Sequence, residues 1–303
     1  KNRQVEGVGF VPLEETVSLV HDRDLSLIYP SLPQYTAVFF NQKHQPNLSD
    51  ALVREALTLA TNKDIIIQKA LFGHGQAISS FMLPGELGYH PDIKKINFDL
   101  PGAEGRLDSA GWVIPEGGTI RKKGDAELTF ELVTLDSPEL IATANELRTQ
   151  WQLAGIQLNV KIVASAQFQN EVLKNRSYDM VLSGELYGID PDPYAFWHSS
   201  QASYPGLNLA QYTNRKSDEA IEKARSTTNN DERATAYKEL QDQVSESISA
   251  IFLYQPNYSY VITKKVQNVN IPQIVVPADR FANINTWYMK TKRIFKTTET
   301  TPN

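Results

Sequence analysis

The chain has 303 residues, 41% of them hydrophobic, so it can bury one large core or two smaller ones. It has no cysteine, which excludes disulfides, thiolate metal ligands and cysteine nucleophiles. Its formal net charge is −5, and its 30 basic and 35 acidic residues are interspersed, so we expect no nucleic-acid partner.

The amino-terminal part of the sequence predicts a loop and a strand followed by two helices. The sequence starts without methionine or a signal sequence, so we expect a piece cut from a longer precursor. Residues 28–41 have the pattern of a loop and a strand. Residues 49–73 have helical spacing with an interruption near Asn62, and Gly73 is expected to end the second helix. No apolar run in the chain reaches the roughly 18 residues needed to span a bilayer.

The middle of the chain predicts a β-α-β-α-β unit. Residues 127–133 alternate between apolar and polar side chains, as in a half-buried strand, and residues 156–162 repeat this pattern. Between them, Ser137 is placed to cap a helix and Gly155 to end it. A shorter helix then leads to a third strand at residues 178–183. Such a unit predicts parallel strands with right-handed crossovers.

The remaining sequence returns to strands after one long helix. Residues 231–250 carry an apolar helical stripe, and residues 251–263 resume a strand pattern in which Pro256 marks a bend or an edge. The threonine-rich residues 293–303 are expected to form a disordered tail. Strand-rich ends therefore bracket an α/β middle.

Sequence signatures of catalysis are missing from the chain. Its five histidines lack the HExxH spacing, and neither a G-x-S-x-G elbow nor a Walker lysine motif is present. The sequence therefore predicts no catalytic residue, no metal site and no cofactor.

The stretch GELYGIDPDPYAFW, residues 184–197, begins where the third predicted strand ends. In open sheets with parallel strands, ligands bind beyond the carboxyl ends of the strands, so a solute would sit at this loop. Glu185, Leu186 and Tyr187 take the first positions after the strand. They are candidates for ligand contact, with a solvated loop as the alternative. Trp197 is expected in the core beneath the loop.

Two aspartates in this loop allow more than one interpretation. Asp190 and Asp192 could serve acid–base chemistry, bind a hard cation or contact a ligand. A structural role is favoured, because Asp192 suits an N-cap with Pro193 at the first position of a short helix over residues 194–199. Asp190 would then start a turn.

Residues 39–75 carry the motif of a known family. In that motif a strand ends in asparagine, and a proline, a Leu-x-Asp and a Val-Arg-x-Ala-Leu follow. This sequence supplies it with Asn41, Pro46, Leu48, Asp50, Val53, Arg54, Ala56 and Leu57. Further segments follow in the family's order, among them GAEGRLDSAGW, LAGIQLNVKI, IFLYQPNYSYV and NINTWYM. Over nearly its whole length the chain resembles the peptide- and nickel-type extracellular solute-binding proteins of ABC importers.

This resemblance implies an α/β fold of the periplasmic-binding-protein type II kind, with a mixed sheet flanked by helices and terminal strands that belong to the other lobe. Members are usually longer, so the chain resembles only their carboxy-terminal half. Residues 1–40 would be an end segment of the first lobe with the hinge, and residues 41–253 the carboxy-terminal ligand-binding lobe. Residues 254–292 would be return strands to the first lobe, and residues 293–303 the tail.

The resemblance also implies capture of a peptide between two lobes and its delivery to the membrane permease subunits of an ABC importer, with no covalent step. It implies a location in the periplasm or on the outer face of the cell membrane. Contact with the membrane would be through a lipid anchor on the missing amino terminus. Oligosaccharides, nickel chelates and opines are alternative solutes, and a hydrolase or a protein-interaction module are alternatives from other classes.

For the ligand site, the resemblance points to the loop after the third strand. In peptide-binding members a tryptophan often follows the glycine, and an aspartate three residues later takes the peptide ammonium. Here Glu185 stands at the tryptophan position and Gly188 near the aspartate position, so Glu185 or Asp190 would be the anionic anchor. Asn41 and Tyr254, in segments that match the family, complete the predicted ligand-binding set. One lobe alone is expected to bind no tighter than about millimolar.

Overall fold

The structure is a computed structural model that describes residues 5–186, 188, 190–271 and 274–289. The chain divides into two compact units. Residues 33–257 form the larger unit, and residues 1–32 with 258–303 form the smaller one. The predicted tail at residues 293–303 lies outside the described residues. The assignment of the terminal segments to another lobe stays a prediction.

Strands and helices alternate through much of the chain. In chain order the strands are β1 Gly7–Gly9, β2 Leu25–Ile28, β3 Gln34–Phe40, β4 Gly75–Ala77, β5 Lys122–Lys123, β6 Ala126–Glu127, β7 Thr129–Leu135, β8 Gln157–Val163, β9 Met180–Leu186, β10 Ala250–Pro256 and β11 Tyr260–Thr263. The α-helices are α1 Leu13–Leu19, α2 Ala51–Leu59, α3 Lys63–Ala70, α4 Leu100–Ser109, α5 Pro138–Leu153, α6 Ser165–Gln167, α7 Tyr194–Trp197, α8 Arg215–Ser226 and α9 Asn230–Ser247. Turns of 3-10 helix are Pro46–Ser49, Ser199–Gln201, Pro277–Phe281 and Ile284–Thr286, and Phe168–Leu173 is a π-helical turn.

Six strands of the larger unit form one mixed sheet in the order β4-β10-β3-β9-β7-β8. β7 is parallel to both β8 and β9, which confirms the predicted parallel β-α-β-α-β unit. β3 lies between β9 and β10 and is antiparallel to both. The sheet is therefore parallel on one side and antiparallel on the other.

Side chains of the central strands reach two helix layers, because successive strand residues point to opposite faces. On one face, Tyr35 packs in a large apolar cluster with Trp197 and with residues of α8 and α9. On the other face, Tyr254 of β10 is paired opposite Thr36, and its hydroxyl lies 2.9 Å from Thr143 Oγ1 on α5. Helices thus flank the mixed sheet on both faces, as the sequence predicts.

Local chemistry explains several helix ends. Asn62 separates α2 from α3 as predicted, because its side chain accepts a hydrogen bond from the Ile65 N–H (3.1 Å) and caps α3. Gly73 follows α3 with a φ of +82°, a left-handed conformation that favours glycine. The long helix α9 ends at Ser247, before the predicted residue 250, because Ile248 takes a left-handed conformation.

The end of one strand and the unit in which another strand lies differ from the expectation. β9 continues to Leu186, beyond the predicted end at Ser183, because β3 supplies pairing partners as far as Gln34. β3 lies inside the sheet of the larger unit, whereas the sequence assigns residues 1–40 to an end segment of another lobe. The compact units divide at 32/33 and 257/258, near the predicted 40/41 and 253/254.

The smaller unit contains a three-stranded antiparallel sheet in the order β1-β11-β2. Its own apolar cluster consists of the buried residues Leu32, Tyr258, Tyr260, Ile262 and Ile274 with partly buried neighbours. Across the residues that the structure describes, no helix has both the length and the apolar character that crossing a bilayer requires.

Candidate functional site

The candidate site is the place where the carboxyl end of β9 meets the amino end of β3. Leu186 is paired with Gln34, and Glu185 with Tyr35. This is also the carboxyl end of the parallel strands β7 and β9, the position at which open sheets bind ligands. The site is therefore built from a strand end and from the loop that connects β9 to α7.

Glu185 is a buried carboxyl at this strand end, only 5% exposed. The Tyr35 hydroxyl donates a hydrogen bond to Glu185 Oε2, and no described residue forms a hydrogen bond with Oε1. Burial raises the pKa of Glu185 well above its usual value, against the hydrogen bond from Tyr35 and the positive charge of Arg176, which both lower it. The carboxyl therefore favours its neutral form and has one oxygen left to bind another polar group.

The structure places Glu185 and Leu186 in β9 rather than in the loop. Leu186 is 52% exposed, although its neighbour Glu185 is buried, because the two side chains point to opposite faces. Gly188 is exposed, and apart from its neighbours in the chain no described residue has a heavy atom within 4 Å of the position that a Cβ would take there. Tyr187 lies outside the described residues, so its contact with a ligand stays a prediction. Leu186 and Gly188 are thus exposed at the end of β9, with the Leu186 side chain on the face opposite to the Glu185 carboxyl.

Two arginines neutralise the loop aspartates. Asp190 Oδ1 accepts a hydrogen bond from Arg233 Nη2 of α9 at 2.6 Å. Asp192 Oδ2 lies 3.2 Å from Arg225 Nε of α8, and the Arg225 guanidinium stacks 4.1 Å above the centre of the Tyr194 ring. The loop is thereby attached to both helices, and neither aspartate is a free anion in this conformation.

Asp192 lies just before α7, where the sequence predicts an N-cap. Its Oδ1 accepts a hydrogen bond from the Tyr194 N–H at 3.1 Å. Pro193 takes the N-cap position rather than the first helical position, and α7 ends at Trp197 instead of residue 199. Trp197 is fully buried, as predicted.

The structure does not bring Asn41 and Tyr254 to this site. Asn41 follows the far end of β3, where its Nδ2 donates to the Arg176 carbonyl at 2.8 Å. Tyr254 lies on the opposite face of the sheet from Glu185, beside Thr143. Both side chains are buried and hydrogen-bonded within the larger unit. Their contact with a solute stays a prediction.

Three contributors to the site are not apparent from the sequence. Tyr35 matters through its register with Glu185, and Arg225 and Arg233 reach the loop from α8 and α9. The only available signal for the two arginines is opposite charge, which they share with the other 28 of the 30 basic residues. Tertiary packing decides which of these residues meet the loop.

The arrangement is suited to holding a polar group of a solute. Over residues 5–186, 188, 190–271 and 274–289, no group of three or more His, Asp or Glu side chains is positioned to hold a metal ion. Glu185 offers one carboxyl oxygen that no described residue hydrogen-bonds, at a strand end where Leu186 and Gly188 are exposed. Such a carboxyl can bind an ammonium or an amide of an extended molecule.

Comparison with known proteins identifies a matching family and several relatives that are 24–25% identical. Residues 1–208 match the family model described as bacterial extracellular solute-binding proteins, family 5 Middle. The oligopeptide-binding protein AppA of Bacillus subtilis (strain 168) is 25% identical over 283 residues, which cover 92% of this chain and 51% of that protein. The dipeptide-binding protein of Escherichia coli (strain K12) is 24% identical over 230 residues, 75% of this chain and 41% of that protein.

Solved structures share the fold. AppA from Bacillus subtilis in complex with a nonapeptide has a TM-score of 0.78 at 23% identity, over 95% of this chain and 56% of that chain. NikZ from Campylobacter jejuni in complex with Ni(L-His) has a TM-score of 0.78 at 24% identity, over 95% and 58% of the two chains. The predicted periplasmic-binding-protein-like α/β lobe is confirmed. The chain spans about half the length of the curated relatives it matches.

Proposed function

This chain belongs to the bacterial extracellular solute-binding proteins of family 5, and from that premise we propose that it captures peptides for an ABC importer and delivers them to the membrane permease. The similar proteins from Bacillus subtilis and Escherichia coli are oligopeptide- and dipeptide-binding proteins, which supports a peptide as the solute. In this role the protein catalyses no reaction. It works in the periplasm or on the outer face of the cell membrane, where a lipid anchor would hold it.

The amino terminus of the peptide is proposed to bind at Glu185. The observation that carries this assignment is the buried Oε1 atom at the end of β9, for which the described part of the chain provides no hydrogen-bond partner. An ammonium there would form a charge-assisted hydrogen bond with Oε1 while Tyr35 keeps Oε2. Its positive charge would also lower the pKa of Glu185 from the raised value, so the carboxyl would bind in its ionised form.

Asp190 is the weaker candidate for the same role. Its carboxylate is already paired with Arg233, and a peptide ammonium would have to replace a guanidinium that donates at 2.6 Å. Beyond the anchor, the exposed backbone at Gly188 leaves room for an extended peptide to pass. The loop aspartates would then shape the site without touching the ammonium.

Thermal-shift and calorimetric measurements with di- to pentapeptides, an oligosaccharide and a nickel chelate test the proposal. Peptides are expected to raise the Tm. Glu185→Gln should weaken peptide binding by about 10- to 100-fold, since a hydrogen bond to a charged group contributes about 1.5–3 kcal/mol. Glu116→Gln, at an exposed carboxylate elsewhere in the larger unit, is the matched control and should bind like the wild type.

Amino-acetylated peptides distinguish binding of the peptide ammonium at Glu185 from peptide capture in general. Acetylation removes the ammonium, so it should weaken binding to the wild type and have little further effect on Glu185→Gln. Equal losses in both proteins would overturn the assignment of Glu185 while keeping peptide capture. A rise in Tm with the oligosaccharide or the nickel chelate alone would agree with the importer role and would overturn the proposal that the solute is a peptide.

A further inference from the structure

A groove with a volume of about 470 Å³ lies at the β4 edge of the larger unit, within the size range of small-molecule sites. Its walls come from residues 61–64 at the start of α3, from residues between 76 and 84 around β4, and from residues between 89 and 98. Two strands, β10 and β3, separate β4 from β9 in the sheet. The groove is therefore distinct from the site at Glu185.

Lys63 places a positive charge in the wall of this groove. Its Nζ donates a hydrogen bond to the Ile78 carbonyl at 2.7 Å, which is a neutral acceptor. Within the part of the chain that the structure describes, no carboxylate forms an ion pair with this ammonium. Burial lowers the pKa of Lys63 to about 8, and the charge of nearby Asp64 opposes this shift. Two N–H groups and an incompletely balanced charge remain available to a ligand.

The other residues that line the groove also suit an anionic ligand with an apolar body. Lys95 adds a second cation, and Asp64 is the only carboxylate among the lining residues that the structure describes. Side-chain amides and apolar surfaces complete the walls, with Asn62, Gln76 and Asn97 in the first class and Met82, Tyr89 and Phe98 in the second. Cations and amide donors suit a carboxylate, and the apolar surfaces suit a hydrocarbon or aromatic body.

We propose that this groove binds a small organic carboxylate, with Lys63 as the counter-ion and with the apolar part of the ligand against Met82 and Tyr89. A partly buried ammonium is costly unless an anion pairs with it, and a carboxylate in the groove would supply that anion. Lys95 would add attraction from the solvent side, where it is exposed. The site goes beyond peptide capture and does not depend on it.

Isothermal titration with two matched probes tests this site. The probes are 3-phenylpropionate and its neutral analogue 3-phenylpropanamide, which differ in charge and share the same apolar body. The wild type is expected to bind the carboxylate at least tenfold more tightly than the amide. Lys63→Met should remove this preference, whereas Lys174→Met, at an exposed lysine outside the groove, should keep it.

A second variant keeps the test valid if Lys63→Met fails to fold. Ala77 is exposed and lines the groove, so Ala77→Trp fills it while leaving Lys63 in place. That variant should lose both probes. Equal affinity of the wild type for the two probes, no detectable binding of the carboxylate, or an unchanged preference in folded Lys63→Met would each overturn the proposal.

Discussion

Tyr35 and Glu185 are register partners on β3 and β9, and the Tyr35 hydroxyl donates to one oxygen of a carboxyl whose other oxygen has no hydrogen-bond partner among the described residues. A carboxyl in such a place is stable when neutral and costly to ionise, because burial removes the water that would solvate its charge. The pair therefore makes the stability of the larger unit depend on pH.

Glu185→Gln should remove that pH dependence. The folded pKa is raised above 4.5, so the unfolded chain ionises first as the pH increases, and the free energy of unfolding of the wild type falls. The slope is at most about 1.4 kcal/mol per pH unit. Glutamine cannot ionise, so the variant should be close to the wild type near pH 4 and more stable near pH 8. Urea unfolding across this range measures the difference, and parallel slopes for the two proteins would contradict it.

Arg233→Gln should loosen the loop that carries Asp190 without unfolding the protein. The Arg233–Asp190 pair is solvent-accessible at the aspartate, so its loss should cost less than about 1 kcal/mol of global stability. Amide hydrogens in a peptide that covers residues 190–197 should exchange several-fold faster. Arg215→Gln on α8, which breaks only an exposed pair with Glu219, is the control and should leave that peptide unchanged. Equal exchange in both variants would show that the pair does not hold the loop.

Two fully buried tryptophans should respond differently to replacement by phenylalanine. Trp151 Nε1 donates a hydrogen bond to Thr61 Oγ1 at 3.0 Å, whereas Trp197 Nε1 finds no hydrogen-bond partner in the part of the chain that the structure describes. Trp151→Phe therefore loses a buried hydrogen bond in addition to packing, and it should cost about 1 kcal/mol more than Trp197→Phe. Chemical denaturation of the two variants checks this, and the reverse order would contradict it.

Gly206→Ala and Gly105→Ala should change stability in opposite directions. A Cβ at Gly206 would lie less than 3.0 Å from the backbone of Gln201, so the loop must move, at a cost of about 1–3 kcal/mol. A Cβ at Gly105 in α4 would meet no atom within 4 Å, and alanine favours a helix by about 0.5–1 kcal/mol. Thermal unfolding of both variants measures the two shifts, and a destabilised Gly105→Ala would show that α4 packs differently.

The parts of the fold that depend on local periodicity could be predicted from the sequence. The alternation that predicts β7 and β8 and the cap and terminator residues that predict α5 lie in consecutive segments, and the parallel pairing of β7 with β8 follows from the helix between them. The central place of β3 could not be predicted. It is fixed by pairing Gln34–Phe40 with residues about 150 positions later in the chain, and no local pattern reports such a contact.

The candidate site, too, could be predicted from the sequence only in part. Its position at the end of a strand follows from the sequence, and so does the place of Asp192 just before a short helix. Which residues form the site does not follow from the sequence, because Asn41 and Glu185 lie at opposite ends of the β3–β9 pair, and Tyr254 lies on the other face of the sheet. A shift of one residue in register exchanges the two faces, so sequence spacing alone cannot decide which side chains meet.

Among the strands that the structure describes, β8 and β4 lie at the two edges of the sheet in the larger unit. β4 is three residues long, so it offers little backbone to another chain, whereas β8 has seven residues and could template a strand from a neighbouring molecule. Lys161 and Asn159 are exposed along β8. An incoming strand would have to desolvate that lysine, so charge protects the long edge, and its small length protects the short edge. Together these two features protect the sheet against edge-to-edge aggregation.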